Sequence, residues 1–343
     1  MQSVIITKNQ AGQRLDKFLR KYLPEAGSSF LYKMLRKKNI TLNDKKAEGK
    51  EMLVVGDKVC FFFSDETFEK FSGRKVSVGA QEKFTNLRQA ANTAETSAYR
   101  TAYRKLKGIM VLYENEDVLF LNKPVGILTQ KAVPTDLSLN EWLIGYLLET
   151  GAITEEELHS FHPSVCNRLD RNTSGIVLCG KSLAGSQLLS RVIKERTVGK
   201  FYRTICVGRL TKDEMLEGYL VKDNATNKVT VSRGQQTGDY IKTGYHPLKA
   251  TDKYTLLEVE LFTGKTHQIR AHLASIGHPI IGDYKYGNGK VNNQLSLESQ
   301  LLHAYRIEFP MKDDAIPENL RGKVITAPYP VLFQELVQKL GLE

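Results

Sequence analysis

Three polar segments of this chain combine side-chain types that can do chemistry. The first, Asn167-Arg168-Leu169-Asp170-Arg171-Asn172-Thr173-Ser174-Gly175, delivers a carboxylate between two guanidinium groups directly ahead of an apolar run. Loops of this kind often carry function. Neighbouring cations favour the charged form of a carboxyl group, so Asp170 reads either as an ionised nucleophile at neutral pH or, equally well, as half of a loop salt bridge. The second segment, Lys200-Phe201-Tyr202-Arg203, opens an apolar strand. Tyr202 could face the same cleft with a stacking surface and a proton-transferring hydroxyl, although a tyrosine in a strand is more often a core residue. The third, Thr263-Gly264-Lys265-Thr266-His267-Gln268-Ile269-Arg270-Ala271-His272-Leu273, passes from a glycine turn into a helix. Ile269, Leu273 and Ile276 fall on one helical face, which leaves His267 and Arg270, three apart, on another that can reach a site beyond the strand end.

Metal and thiol chemistry find less support. His267 and His272 lie five apart and share no helical face, which argues against a pair of zinc ligands, and neither an H-E-x-x-H helix nor a Walker-type loop occurs. Cys60, Cys166, Cys179 and Cys206 are scattered without any C-x-x-C pair, so no disulfide framework or zinc knuckle is expected and the thiols should be reduced and mostly buried. Cys166 with His162 or His267 would suit a thiol hydrolase, but no oxyanion loop or matching local motif accompanies them.

The elements that must position these residues follow from periodicity. After Gly108 the strand-like runs are Val118 to Leu121, Gly175 to Cys179, Phe201 to Val207 and Tyr254 to Leu261. Leu257, Val259 and Leu261 alternate with Glu258 and Glu260, so one face of that strand is wet. Two helices intervene, one of them carrying Leu188, Leu189, Val192 and Ile193. Strands come in succession with helices inserted, without the regular strand-helix alternation of a doubly wound fold, and this predicts an α+β body on a mixed, mainly antiparallel sheet with flanking helices. The 343 residues allow more than one core, and 41% hydrophobic with 25% charged residues exclude wholesale disorder or a coiled-coil rod. No run approaches the roughly 18 apolar residues of a membrane span, and Met1 to Lys8 lacks an apolar signal core, so the expected compartment is the cytoplasm.

Charge divides the chain. Of the net +11, residues 1–64 contribute +7 and residues 65–108 contribute +4, while the remaining 235 residues carry 27 charges of each sign. A basic module joined to a neutral body reads as a polyanion-binding attachment, because Lys and Arg gain affinity for phosphate by releasing counterions. A lysine-rich soluble surface is the alternative. Within residues 1–64, Leu15, Phe18, Leu19 and Tyr22 have helical spacing, Pro24 and Gly27 end that helix, and Ser28 or Ser29 is placed to cap a second. The second helix has Phe30, Leu31, Met34 and Leu35 on its apolar face and collects Lys33, Arg36, Lys37 and Lys38 elsewhere. A strand at Ile40 to Leu42, a turn at Asn43 and Asp44, and a strand from Val59 to Phe63 complete a small αα-β unit. Residues 65–108 contain Ser72, Gly73 and Gly79, then Phe84, Leu87, Ala91, Ala94, Ala98, Ala102 and Leu106 stepping by three or four. This is an alanine-rich amphipathic helix, or a linker that orders only against a partner or RNA.

Two resemblances sharpen these readings. Arg14-Leu15-Asp16-Lys17-Phe18-Leu19, Ser28-Ser29, Lys37 to Asn43 and Val55-Gly56-Asp57-Lys58-Val59 together resemble the RNA-binding module named after ribosomal protein S-four, over about 50 residues. That likeness implies phosphate contacts at Lys33, Arg36, Lys37 and Lys38. In the body, Asn122-Lys123-Pro124-Val125-Gly126, the Arg168 to Gly175 loop, Lys200-Phe201-Tyr202, Thr263 to Arg270, Gly282-Asp283 with Tyr286-Gly287, and Leu302-His303-Ala304 resemble the RluA-type pseudouridine synthases. One departure is Asn167, where that family more usually has histidine.

The resemblance implies an enzyme that breaks the bond between uracil and ribose, rotates the base and rejoins it through carbon 5, with no metal or other cofactor. It implies Asp170 as nucleophile or ribose-activating base, Tyr202 stacked on the uracil and moving a proton, and Arg270 paired with Asp170. Arg168 would fill the stack vacated by a flipped base, with Arg171 and His267 as further RNA contacts. The partner expected is structured RNA. Large-subunit ribosomal RNA leads, because an appended S-four-like module is typical of relatives acting there; transfer RNA and a catalytically inactive assembly factor are the alternatives. A monomer of three parts, 1–64, 65–108 and 109–343, is the simplest expectation.

Overall fold

The computed structural model describes residues 2–73, 86–222, 228–232 and 238–343, with residues 86–95 and 222 described by their backbone alone. The amino-terminal unit runs β1 (Gln2–Ile5), α1 (Leu15–Tyr22), α2 (Ser28–Arg36), β2 (Ile40–Leu42), β3 (Lys45–Lys46), β4 (Lys58–Phe61) and α3 (Asp65–Ser72). Its antiparallel strands lie in the order β1-β4-β2-β3. Leu15, Phe18, Leu19 and Tyr22 of α1 close over Leu31, Met34, Leu35, Ile40, Val59 and Phe61, the helical stripe facing the core that the spacing implies. Asn43 and Asp44 both take positive φ, 51° and 61°, the conformation of a tight two-residue hairpin.

Three details differ from expectation. Gly27, rather than a serine, is the N-cap of α2, and Ser28 already lies inside the helix. The short strand β1, which buries Val4, had no periodic signal beyond four residues. Helix α3, capped by the Ser64 hydroxyl, sets Phe68 into the same core, so that packing continues past residue 64.

Helix α4 (Asn86–Lys105) precedes the body, which runs β5 (Met110–Glu114), β6 (Val118–Lys123), α5 (Leu139–Glu149), β7 (Ser164–Val165), β8 (Ser174–Gly180), α6 (Leu183–Glu195), β9 (Gly199–Val207), β10 (Glu214–Lys222), β11 (Val229–Ser232), β12 (Asp239–Ala250), β13 (Tyr254–Leu261), α7 (Gln268–Ser275), α8 (Gly289–Gln294), β14 (Leu302–Glu308), β15 (Val324–Thr326) and α9 (Val331–Lys339). Helix α4 lies on α5: Tyr103 packs against the rings of Trp142 and Tyr146, and Arg100 pairs with Glu149 and Glu155. Gly79 and Phe84, and the side chains of Leu87, Ala91 and Ala94, lie outside the described residues. The amino-terminal unit meets the body through Lys8 with Glu116, Thr7 and Asn9 with Glu157, and Gln10 with Ser160.

Eleven strands form one sheet along the path β11-β10-β12-β13-β9-β14-β8-β6-β5, with β15 on β14 and β7 on β8. Among the described strands β14 and β8 pair in parallel and all other pairs are antiparallel, the mixed, mainly antiparallel α+β architecture expected. Strand β8 is buried along its whole length. Val177 and Cys179 face the core under α5, whereas Ile176 and Leu178 face the one under α6, so the two-residue alternation separates two apolar layers. Three elements converge where β8 begins. Tyr202 of β9 sits opposite Ala304 of β14, and Ala304 sits beside Gly175 of β8. Gly175 has φ +111°, and a β-carbon there would fall 2.2 Å from the Ala304 carbonyl oxygen. Only glycine permits this approach, and it is the step by which the Asp170 loop enters the sheet.

Candidate active site

The Asp170 loop is braced from both flanks. On the incoming side, the Asn167 side chain accepts from the Leu178 amide at 2.7 Å and donates to the Ile176 carbonyl at 3.3 Å, so it extends the backbone pairing of β8. The Thr129 hydroxyl donates to the Leu169 carbonyl and accepts from the Leu169 amide. On the outgoing side, the Arg171 carbonyl accepts from the Gly126 amide and from Lys123 Nζ, each at 3.0 Å. Lys123 is fully buried and also donates to the carbonyls of Pro124 and Ile127. Burial pushes this lysine down to about 7, with Asp170 acting in the opposite direction. Its three bonds use every proton of an ammonium group. The segment Asn122 to Gly126 is therefore the support on which the carboxylate loop rests.

Opposite the loop, the turn into α7 is organised by Gln268. Its side-chain oxygen accepts from the Thr263 hydroxyl and the Lys265 amide, and its nitrogen donates to the Lys242 carbonyl and the Thr243 hydroxyl. The turn places His267 at the N-cap with φ 55° rather than inside the helix, a departure from the helical face expected for it. Arg270 is in the first turn of α7 and is the hub of the site. Its Nε and Nη2 donate to the two oxygens of Asp283 at 2.7 and 3.0 Å, and its Nη1 donates to Asp170 Oδ2 at 2.9 Å. Side-chain exposure is 8% for Arg270, 0% for Asp283 and 27% for Asp170, so only the last carboxylate is open to a substrate. Burial works against the charges of Arg270 and Asp283, but their mutual bonds prevail, raising the arginine and lowering the aspartate. Asp283 Oδ1 also accepts the amides of Lys285 and Tyr286.

A second chain of contacts reaches Asp170 through His267. The Tyr286 oxygen accepts from the Val229 amide at 3.0 Å and lies 2.9 Å from His267 Nδ1. The tyrosine proton is thus free to be donated to Nδ1, which puts the imidazole proton on Nε2, 3.8 Å from Asp170 Oδ2. Burial lowers His267 below the usual histidine value and favours the neutral ring, with the Asp170 charge acting in the opposite direction.

These elements enclose a cavity of about 290 Å³ lined by Arg168, Asp170, Lys200, Tyr202, His267 and Arg270, among others. It is at the small end of the ligand pockets of proteins, ~300–1,000 Å³. Tyr202 is buried, and burial together with the nearby Asp170 charge holds its hydroxyl proton on more firmly than in a free tyrosine. Of the residues expected at a site, Asp170, Tyr202, Arg270, Arg168 and His267 meet here. Arg168 is exposed and reaches the Thr266 hydroxyl at 3.4 Å. Arg171 is exposed and does not line the cavity; its contribution is its carbonyl. Lys33, Arg36, Lys37 and Lys38 are exposed on the amino-terminal unit. Cys166 lines the cavity, but burial raises its thiol to about 11, and His162 is not among the lining residues, so the arrangement lacks the ready thiolate of a thiol hydrolase. Asp283, Lys123 and Tyr286 were present in the sequence motifs without an assigned role; the only signal was their place in those motifs.

Comparison with known proteins agrees with this geometry. The family model described as RNA pseudouridylate synthase matches residues 117–275. Ribosomal large subunit pseudouridine synthase C of Rickettsia bellii (strain RML369-C) is 31% identical over 94% of this chain and 98% of its own length. Ribosomal large subunit pseudouridine synthase D of Neisseria meningitidis serogroup B (strain ATCC BAA-335 / MC58) is 28% identical over 97% of this chain and 80% of its own. Among solved structures, human RNA pseudouridylate synthase domain containing 4 shares the fold with a TM-score of 0.54 at 19% identity, covering 74% of this chain and 98% of that one. With the Arg-Leu-Asp loop, the buried tyrosine and the arginine hub in one cavity, and a relative of this identity over nearly its full length, the chain belongs to the RluA-type pseudouridine synthases.

Proposed function

We propose that this protein isomerises uridines of large-subunit ribosomal RNA, with Asp170 as the group that starts the reaction. The observation that carries the reading is a single half-open carboxylate, bonded to a buried arginine and facing a nucleoside-sized cavity that also holds a buried tyrosine. The N1–C1′ bond breaks, the uracil turns, a C5–C1′ bond forms, and the proton on C5 leaves while N1 regains one. Asp170 serves either by attacking C1′ or by activating the ribose.

Tyr202 stacks on the base and moves a proton. The Asp170 charge is one cause of the firm hold on the Tyr202 proton. When that charge is consumed in a bond to the sugar or by protonation, the phenol becomes easier to deprotonate, and this orders the two steps.

A stacked uridine must be extruded first, at a cost of a few kcal/mol, about what phosphate contacts have to supply. The exposed cations Lys33, Arg36, Lys37 and Lys38 on residues 1–64 are suited to that, residues 109–343 to catalysis, and Arg168 at the cavity mouth to occupying the vacated stack. The ribosomal RNA assignment draws on the names of the relatives and on the S-four-like sequence pattern. Among the described residues no helix is long and apolar enough to cross a membrane, and we assign the protein to the cytoplasm as a monomer.

The test maps pseudouridines across total RNA from cells with and without the protein, then supplies Asp170→Asn. Sites missing from large-subunit RNA and not restored by the variant are expected. Missing sites confined to transfer RNA would overturn the substrate, and restoration by Asp170→Asn would overturn the mechanism.

A further inference from the structure

The cavity walls carry more positive charge than the catalytic pair uses. Among its described lining residues Asp170 is the sole carboxylate, against Arg168, Lys200, Lys265 and Arg270. Two of these cations are neutralised: Arg270 by Asp283 and Asp170, and Lys265 by Asp239 at 2.8 Å. Among the described residues Arg168 at the mouth has only a hydroxyl partner. Lys200 is the unusual one. It is half-buried, yet its ammonium makes no hydrogen bond or ion pair with any described residue. Burial and the neighbouring Arg196 both hold it below the ordinary lysine range.

A half-buried ammonium without a partner is unfavourable unless an anion arrives to meet it. Position tells which anion. Lys200 precedes Tyr202 by two residues on β9, so both side chains leave the strand on one side. Glu260, paired with Phe201 in the register, leaves on the other. Space is also kept open beside the charge. A β-carbon on Gly264 would sit 3.9 Å from Lys200 Nζ and, its chain neighbours aside, within 4 Å of no other described residue, so the ammonium borders a gap that a side chain at that position would occupy.

We infer that Lys200 binds the phosphodiester of the extruded uridine in the gap beside Gly264, while Tyr202 and Asp170 engage its base and sugar. The assignment rests on the cavity being the nucleotide site and adds the group that holds the backbone there. Its energetic role is to draw the phosphate inward only when the base is out, so the contact rewards extrusion rather than general RNA binding.

The test follows pseudouridine formation on an unmodified large-subunit ribosomal RNA transcript over a series of KCl concentrations, for the wild type, Lys200→Met and Lys200→Arg. Lys200→Met should raise KM about tenfold or more at low salt, the scale of a lost charge-assisted bond. It should also flatten the slope of log kcat/KM against log salt by about 0.7, the share of one single-strand phosphate. Lys200→Arg should restore both, which a purely structural lysine would not predict. An unchanged slope in Lys200→Met, or an Arg variant as impaired as the Met one, overturns this inference while an active wild type leaves the functional reading standing. A wild type that forms no pseudouridine in the transcript overturns both.

Discussion

Arg270 is held by two aspartates, and amide substitution of each should separate stability from chemistry. In Asp283→Asn the amide oxygen can keep the place of Oδ1, where it accepts the amides of Lys285 and Tyr286 and the Nη2 proton of Arg270. The new amide NH₂ then faces Arg270 Nε, where the carboxylate oxygen now accepts at 2.7 Å. Donor meets donor. Breaking a buried ion pair from one side costs about 3–5 kcal/mol. Because Asp170 still faces Arg270, the guanidinium is not left unpaired, and the lower figure, about 3 kcal/mol, applies. At ~2–4 °C per kcal/mol for a domain of this size, the melting temperature should fall by about 6–12 °C. Turnover should also fall, because the arginine that orients Asp170 has lost its anchor, and displacement of a reacting group by about 1 Å can cost 100-fold.

Asp170→Asn should do the reverse. The half-open carboxylate makes one bond to Arg270, which keeps its bidentate partner, so the stability loss should stay near 1 kcal/mol while pseudouridine formation disappears. Thermal unfolding followed by circular dichroism, alongside timed pseudouridine formation, reads both quantities on the same preparations. Equal melting shifts for the two variants, or an Asp283→Asn protein with wild-type melting and turnover, would refute the division of labour between the buried and the open carboxylate.

Two further outcomes follow from other buried groups. His303 lies between the Ser174 hydroxyl at 2.8 Å and the Ala327 carbonyl at 3.3 Å, and burial lowers it to about 4 from 6.5. The unfolded chain therefore takes up the proton first as the solution is acidified, stability falls between about pH 6.5 and pH 4, and the total loss is about 3 kcal/mol. Urea unfolding at pH 7 and pH 4.5 should show His303→Gln losing markedly less stability on acidification than the wild type, and equal losses would refute the linkage. Tyr202→Phe keeps the ring and removes the hydroxyl, so RNA affinity should hold within about threefold while the single-turnover rate falls by about 100-fold, the scale of general acid–base catalysis. A wild-type rate in this variant would confine Tyr202 to stacking.

What could be read from the sequence, and what could not, divides along a physical line. The segments holding Asp170, Tyr202 and Arg270 stood out as polar runs that packing alone does not explain, whereas the roles expected of the three side chains came from the family resemblance; strand β13 was legible because its Leu and Glu residues alternate. Helix α5 carried no such pattern. Leu139, Trp142, Leu143, Ile144, Leu147 and Leu148 are all buried, between α4 on one side and the sheet on the other, so its residues show apolar content without a stripe. Arg171 and Asp283 illustrate the deeper limit. Arg171 is next to Asp170 in sequence, yet the turn closed by the Thr173 amide on the Asp170 carbonyl leaves its side chain exposed. Asp283 is 13 residues from Arg270 and fully buried, and its partnership exists only because the chain returns there after α7. Adjacency in sequence does not decide which arginine bonds the carboxylate. The field acting on a carboxylate falls off with distance in space, so the cation that orients Asp170 lies 100 residues away while an arginine beside it in the chain supplies a carbonyl.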